Sequence, residues 1–183
     1  MRQILAVIWD TIEVAIIALV VVYLIRTFVF QPFFVEGSSM FPTFKNGDYL
    51  IIDELTYRFR EPQRGEIIVF RPPQQEKDYY IKRIIGLPNE EVEIKEGNII
   101  IYNKDHPNGF VLNEPYLLDA QTPGDLKISL KENEYFVLGD NRYASYDSRA
   151  WGTFTEDKII GLVRLRIWPI NSVKAFTEVN YQY

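Results

Sequence analysis

The hydrophobic residues of this chain form one long run near the N-terminus and many short runs after it. Residues 14–25 are twelve consecutive apolar positions, and residues 28–30 extend the run beyond Arg26. A helix that crosses a bilayer needs about 20 apolar residues, and an arginine near its end can extend toward the lipid headgroups. The pattern therefore predicts a single transmembrane helix at residues 12–30.

Two other interpretations of this apolar segment fit less well. A cleavable signal peptide would end in small residues before its cleavage site, whereas residues 27–34 are rich in phenylalanine. An interfacial amphipathic helix would carry a basic polar face, whereas Asp10 and Glu13 precede this run. We therefore expect residues 1–30 to form an N-terminal tail and membrane anchor. Because the few flanking charges nearly cancel, they do not fix its orientation.

After residue 34 the apolar residues recur in short runs that are typical of β-strands. The runs are rich in β-branched and aromatic residues, and prolines and glycines separate them. Glu96-Gly97 predicts a tight hairpin, and residues 103–125 read as a surface insertion. This spacing predicts an all-β domain at 31–183, an antiparallel β-sandwich or barrel. The predicted strands cover residues 49–52, 66–70, 79–85, 91–95, 98–102, 126–130, 134–138 and 159–168.

The composition excludes several kinds of chemistry. The chain has no cysteine, so it has neither a thiol nucleophile nor a disulfide framework. Its single histidine, His106, lies in a turn-like stretch, which argues against a histidine-based triad and against a metal site. A net charge of −5 argues against nucleic acid as a partner. We expect neither a metal nor a cofactor.

Ser39 lies in a loop between the apolar run and the first predicted strand. Gly37 allows the backbone to approach a ligand closely, and Pro42 stiffens the chain after the serine. Taken alone, this pattern is more typical of an ordinary loop than of a catalytic nucleophile.

The strand that contains Lys82 carries a basic residue on either face. Strand alternation places Tyr80, Lys82 and Ile84 on one face, and Ile81 and Arg83 on the other. A lysine buried among apolar neighbours loses its proton more easily, and a neutral amine can accept a proton from a serine hydroxyl. The pattern alone favours a simpler case, in which the lysine stem packs and the amine reaches water.

A polar segment at residues 139–152 contains two aspartates, two arginines and two serines between two glycines. As an exposed loop such a segment is common. If it is buried, its charges must pair. Its expected role is then to support the lysine and to fix the loop.

Five ordered motifs behind the apolar segment resemble those of the bacterial type I signal peptidases, which cut leader peptides from exported proteins. The resemblance implies a Ser–Lys dyad on an all-β catalytic domain at the outer face of the cell membrane. The motifs are SSMFPT (38–43), GDYLIIDE (47–54), RGEIIVFRPP (64–73), YIKRIIGLP (80–88) and GDNRYASYDSRAWG (139–152).

The resemblance also assigns roles to individual residues. Ser39 falls at the position of the nucleophile and Lys82 at that of the general base. Ser145 matches the serine that hydrogen-bonds the lysine amine, and Asp147 matches an aspartate that pairs with an arginine of the same loop, here Arg149.

Gly37 is a departure from some members of that family. It occupies the position where they carry a hydroxyl that assists the backbone N–H of the nucleophile in binding the oxyanion, so this donor is missing here. Resemblance further implies signal peptides of exported preproteins as substrates, with small side chains one and three residues before the cut, and a lipid bilayer as a partner. The residues that match the pocket walls are Val35, Met40, Phe44, Tyr80 and Ile81.

Two alternative functions remain open at this level. A self-cleaving Ser–Lys repressor would share the dyad, but it would carry a DNA-binding helix pair where this chain has its apolar segment. An inactive membrane-anchored binding module would not need Ser39, Lys82, Ser145 and Asp147, all of which are present.

Overall fold

The chain folds into an N-terminal helix followed by β-strands. A computed structural model describes residues 2–28, 30–75, 77–117, 119 and 121–176, with the side chains of 2–6, 23–28 and 30 outside the description. The helices are α1 (Arg2–Phe28) and α2 (Ser148–Trp151). The strands are β1 (Phe30–Phe34), β2 (Tyr49–Asp53), β3 (Ile67–Phe70), β4 (Tyr80–Gly86), β5 (Glu91–Lys95), β6 (Asn98–Tyr102), β7 (Phe110–Val111), β8 (Leu126–Ser129), β9 (Glu134–Leu138), β10 (Phe154–Thr155), β11 (Ile159–Trp168) and β12 (Lys174–Ala175).

The N-terminal segment is helical, but the transmembrane helix predicted at residues 12–30 is not found. Within the part of the chain that the structure describes, no helix is long and apolar enough to cross a membrane. The described side chains of α1 run from residue 7 to residue 22. Residues 23–30 of the predicted span lie outside the described side chains.

The strands form two antiparallel sheets, and this confirms the prediction of an all-β domain. The larger sheet has the order β1–β2–β11–β3–β4–β9–β10, with β12 beside β11, and the smaller sheet has the order β7–β6–β5–β8. Within the described residues the larger sheet starts at β1 and ends at β10 without pairing them. It is therefore an open sheet and not a closed barrel.

The hairpin predicted at Glu96-Gly97 is present between β5 and β6. Both residues have positive φ, 50° and 80°, which is the conformation of a two-residue turn that follows the twist of its strands. Lys95 pairs with Asn98 across the turn, and the register continues to Glu91 opposite Tyr102.

Strands β3 and β4 are buried on both faces of the larger sheet. Ile67 and Val69 face one apolar core, whereas Ile68 and Phe70 face another. Ile81 packs against the first core, and Tyr80 and Ile84 belong to the second, which confirms the predicted alternation along β4. A third core joins the smaller sheet to β4 and β9, and its buried members are Ile85, Val92, Ile94, Ile99, Ile101, Leu112, Leu130, Phe136 and Leu138.

The two-sheet packing predicts very different costs for two β-branched residues on neighbouring strands. Ile101 on β6 is fully buried, whereas Val111 on β7 is 59% exposed. We expect Ile101→Ala to lower the free energy of unfolding by about 2–5 kcal/mol, because it removes core contacts and leaves a cavity. The control Val111→Ala is expected to change it by about 0.5 kcal/mol or less. Urea unfolding followed by circular dichroism measures both, and equal losses would contradict this packing.

Candidate active site

The loop that follows β1 presents Ser39 at the edge of the larger sheet. Met40 and Phe44, which are 1% and 0% exposed, are buried in an apolar core and so anchor this loop to the sheet. The N–H of Phe44 donates to the carbonyl of Met40 at 2.8 Å, and the N–H of Gly37 donates to Asn46 Oδ1 at 2.9 Å. This anchoring leaves the side chain of Ser39 on the surface of a groove.

Ser39 and Lys82 meet side chain to side chain, although 43 positions separate them in the sequence. Lys82 Nζ lies 2.9 Å from Ser39 Oγ and donates a second hydrogen bond of 2.9 Å to the carbonyl oxygen of Ile81. The lysine side chain leaves β4 on the same face as Tyr80, whose ring centroid is 5.3 Å from the amine. The two residues therefore have the geometry of a nucleophile and its base.

Burial changes the acidity of Lys82. The residue is only 4% exposed, and loss of hydration lowers the pKa of its amine from 10.5 to about 8. The nearby carboxylates of Asp147 and Asp140 oppose this effect, because negative charge favours the protonated amine. Desolvation is the larger effect, so a substantial fraction of the amine is neutral near neutral pH.

Each of these two aspartates is paired with an arginine. Arg83 Nε and Nη2 donate to the two carboxylate oxygens of Asp140 at 2.8 and 2.6 Å. Arg149 Nε and Nη2 donate in the same way to Asp147 at 2.8 and 2.9 Å. The ion pair of Asp147 with Arg149 is the one expected from the sequence. The pairing of Asp140 with Arg83 was not predicted.

Ser145 is half-buried and its Oγ atom is shielded from solvent, but the hydrogen bond expected between Ser145 and Lys82 is not formed. Among the described residues, Ser145 Oγ has no hydrogen-bond partner. The side chain packs against Gly139, where a Cβ would come within 2.2 Å of Ser145 Oγ. The amine of Lys82 uses Ser39 and the carbonyl of Ile81 instead.

The polar loop at residues 139–152 also contacts the backbone of Ser39. The N–H of Asn141 donates to the carbonyl of Ser39 at 2.9 Å, and its side-chain amide donates to the carbonyl of Ser38 at 3.2 Å. Sequence analysis missed this contact, because the family-like motif assigned no role to Asn141. No described residue accepts a hydrogen bond from the backbone N–H of Ser39.

The dyad lies in a groove of about 670 Å³. Of the residues expected to form pocket walls, Val35, Tyr80 and Ile81 line the groove. Met40 and Phe44 do not line it, because both are buried in the core below it. The remaining lining residues are Phe33, Phe34, Glu36, Gly37, Ser38, Ser39, Leu50, Val69, Lys77, Asp78, Tyr79, Lys82, Ala144 and Tyr146.

A metal site is not present among the residues that the structure describes, since no group of three or more acidic or histidine side chains could hold an ion. The groove presents the hydroxyl of Ser39 and an amine of lowered pKa, that of Lys82.

Comparison with known proteins identifies the family of the chain. The family model described as "Signal peptidase, peptidase S26" matches residues 8–168. "Probable signal peptidase I-2" of Synechocystis sp. is 40% identical over 159 residues, which cover 84% of this chain and 70% of that protein. "Signal peptidase I P" of Bacillus subtilis subsp. natto is 35% identical over 176 residues, which cover 90% and 91% respectively.

Among solved structures, the crystal structure of a signal peptidase I from Enterococcus faecalis is 33% identical, with a TM-score of 0.49, and covers 56% of this chain and 97% of that chain. The family match extends over most of the sequence, and the curated relatives are aligned over more than four fifths of it. The chain belongs to the signal peptidase family, peptidase S26.

Proposed function

We propose that this protein is a serine endopeptidase that cleaves signal peptides from exported preproteins, with Ser39 as nucleophile and Lys82 as general base. The observation that carries the proposal is the 2.9 Å contact between Ser39 Oγ and the amine of a lysine that is 4% exposed. Family membership supports leader peptides as the substrate class.

In the proposed mechanism the neutral amine of Lys82 accepts the proton of Ser39 as the hydroxyl oxygen attacks the scissile carbonyl. The lysine then passes this proton to the leaving amine, and an acyl-enzyme on Ser39 remains. Water, deprotonated in turn by Lys82, hydrolyses the ester and releases the leader peptide. The hydrogen bond from Lys82 to the carbonyl of Ile81 orients the amine throughout.

The oxyanion of the tetrahedral intermediate needs hydrogen-bond donors that are already in place. The backbone N–H of Ser39 is suited to this role, because it donates to no described residue. Gly37 supplies no hydroxyl, although its position in the groove keeps the space beside Ser39 open. We propose that the N–H of Ser39 is the principal donor.

Ser145, Asp147 and Arg149 are proposed to support the dyad. The Asp147–Arg149 ion pair fixes the turn that carries Ser145, and Asp147 also accepts a hydrogen bond from the N–H of Gly139 at 3.0 Å. Ser145 Oγ is buried without a described partner, so it is available to accept an N–H of Lys82 after the lysine has taken a proton.

Binding of the leader peptide is proposed to occur along β4 in an extended conformation. The groove exposes the start of this strand, and Val35 and Ile81 form apolar walls next to Ser39. Small side chains in the peptide suit such shallow walls, and backbone pairing with a strand gives affinity without demanding a particular sequence.

Membrane association is proposed from two sets of exposed apolar side chains. Helix α1 exposes them along residues 7–22, including Trp9 at 69%. The end of β11 and the turn after it expose Trp168 and Ile170 at 54% and 77%. Aromatic rings favour the membrane interface. These surfaces support an enzyme at the outer face of the cell membrane, whose substrates are themselves membrane-bound leader peptides.

Loss of either dyad residue is expected to abolish most of the activity. Lys82→Ala should lower kcat by about 10²–10⁴-fold, the usual contribution of a general base. Ser39→Ala should remove at least about 10³-fold, because no acyl-enzyme can form. Ser129, at the end of β8 in the smaller sheet, and Lys131, two residues later, are both exposed. Ser129→Ala and Lys131→Ala therefore serve as matched controls. Cleavage of a preprotein in detergent measures all four, and full activity in either dyad variant would exclude this mechanism.

Cleavage should depend on pH through the amine of Lys82. Only the neutral amine can take the proton of Ser39, and burial lowers the pKa of Lys82 to about 8. The rate is therefore expected to rise about tenfold per pH unit up to about pH 8 and to level off above it. The measurement is kcat from pH 5 to 10, with circular dichroism at each pH to verify folding. A rate that stays flat from pH 8 down to pH 5 is incompatible with a lysine base.

Membrane contact can be tested with the tryptophans of the chain itself. Three variants, each retaining only Trp9, Trp151 or Trp168, are mixed with phosphatidylcholine vesicles that carry brominated acyl chains. Trp9 and Trp168 should be quenched, because both are exposed on the proposed contact surfaces. Trp151 packs against the core between Phe70 and Phe154 and serves as the internal control. Equal quenching of all three would refute the proposed surface.

A further inference from the structure

The segment between β7 and β8 forms a buried ion pair with the polar loop beside the dyad. The side chains of Glu114 and Arg142 are 3% and 1% exposed, and both guanidinium Nη atoms donate to the carboxylate, at 2.7 and 2.5 Å. Thr122 Oγ1 accepts from the same guanidinium, and the hydroxyl of Tyr116 donates to Glu114 at 2.5 Å. A bidentate pair fixes the orientation of the arginine as well as its position.

Arg142 connects this ion pair to the nucleophile. Its Nε donates to the carbonyl of Gly139 at 3.0 Å, so the guanidinium closes the turn at residues 139–142. Gly139 packs against the backbone of Ser39, since a Cβ there would lie 2.5 Å from the Ser39 carbonyl oxygen. From the same turn, the N–H of Asn141 donates to that oxygen at 2.9 Å.

Tyr116 connects the same segment to the strand of the base. The guanidinium carbon of Arg83 lies 3.7 Å from the centroid of the Tyr116 ring, a close cation–π contact. Arg83 follows Lys82 on β4 and holds Asp140 through two hydrogen bonds. Glu114 therefore contacts the loop that positions Ser39. Tyr116, two residues later, contacts the strand that carries Lys82.

We propose that Glu114 is a positioning residue for the Ser39–Lys82 pair and that it acts through Arg142. Tyr116 holds the carboxylate of Glu114 in place, and Thr122 holds the guanidinium of Arg142 in place. The inference rests on the proposed function, in which Ser39 and Lys82 carry out the chemistry. A displacement of about 1 Å between reacting groups can cost about 10²-fold in rate. Weakening this ion pair should therefore lower kcat more than it changes substrate affinity, because Glu114 lies outside the groove.

A second buried ion pair gives a matched control for the general effect of losing such a contact. Glu90 and Arg64 are 7% and 5% exposed and lie 2.6 Å apart. The other described partners of the Glu90 carboxylate are Leu87 and Asn103. None of these residues belongs to the nucleophile loop or to residues 139–142. Arg64 also donates to the carbonyl of Ile85 on β4. Glu90→Gln therefore removes a comparable buried charge whose partner contacts the strand of the base but not residues 139–142.

The experiment compares Glu114→Gln with Glu90→Gln in the full chain in detergent, at a temperature where both variants are folded. For Glu114→Gln we expect kcat for a leader-peptide substrate to fall about tenfold or more, with KM within about twofold. Glu90→Gln should keep kcat within about twofold even if its Tm falls by the same amount. Thr122→Val should also lower kcat, and Thr122→Ser, which keeps the hydroxyl, should restore it. Equal kcat values in the two glutamine variants would overturn the inference.

Hydrogen exchange provides a measurement that needs no substrate. Amide exchange in the peptide covering residues 37–44 should become about fivefold faster in Glu114→Gln and stay unchanged in Glu90→Gln. A wild type that does not cleave leader peptides would refute the proposed function, and exchange would still decide the positioning role. If Glu114→Gln does not fold, Tyr116→Phe, which loses the hydroxyl bond to Glu114 and keeps the ring beside Arg83, replaces it. Unchanged exchange at residues 37–44 in the variant tested would overturn the inference.

Discussion

A lysine can present a neutral amine near neutral pH only where water is kept away from it, and this constraint governs the surroundings of Lys82. Two carboxylates, those of Asp147 and Asp140, lie close enough to favour the protonated amine. Each carboxylate is held by two guanidinium hydrogen bonds, from Arg149 and Arg83. Because this pairing compensates most of their negative charge, desolvation determines the acidity of the amine.

The architecture of the larger sheet makes this desolvation achievable. Strand β4 lies between β3 and β9, and apolar cores cover both of its faces. A side chain at Lys82 therefore leaves the strand among apolar neighbours and can reach a polar partner only at the edge of the groove, where Ser39 lies. From Arg83 onward β4 pairs with β9 as well as with β3, whereas Tyr80 to Lys82 pair with β3 alone. Lys82 therefore lies where the interior of the sheet meets the groove, buried enough to lose its hydration and still in contact with Ser39.

Eight strands and the hairpin were predictable from the sequence because they depend on local alternation and turn residues. The remaining strands, β1, β7, β10 and β12, were not predicted. The alternation along β4 is of this local kind and was correct. The ion pair of Asp147 with Arg149, which is also present, was expected from the family resemblance. The bidentate pair of Glu114 with Arg142 spans 28 positions, and no local pattern specifies which arginine a distant glutamate will meet. For the same reason the sequence predicted a surface insertion at residues 103–125. In the structure Glu114 and Thr122 of this segment are buried and bind Arg142 of the polar loop.

Gly139 lies where the polar loop at residues 139–152 contacts the loop that contains Ser39. A Cβ at this position would lie 2.2 Å from Ser145 Oγ and 2.5 Å from the carbonyl oxygen of Ser39, distances that real Cβ contacts do not reach. Only glycine lets the polar loop approach so closely that the N–H of Asn141 can bond to the Ser39 carbonyl. That bond restricts the rotation of the peptide unit after Ser39, and the approach brings the buried hydroxyl of Ser145 toward the nucleophile. The polar loop thus holds Ser39 in position, and the larger sheet holds the amine of Lys82 in position.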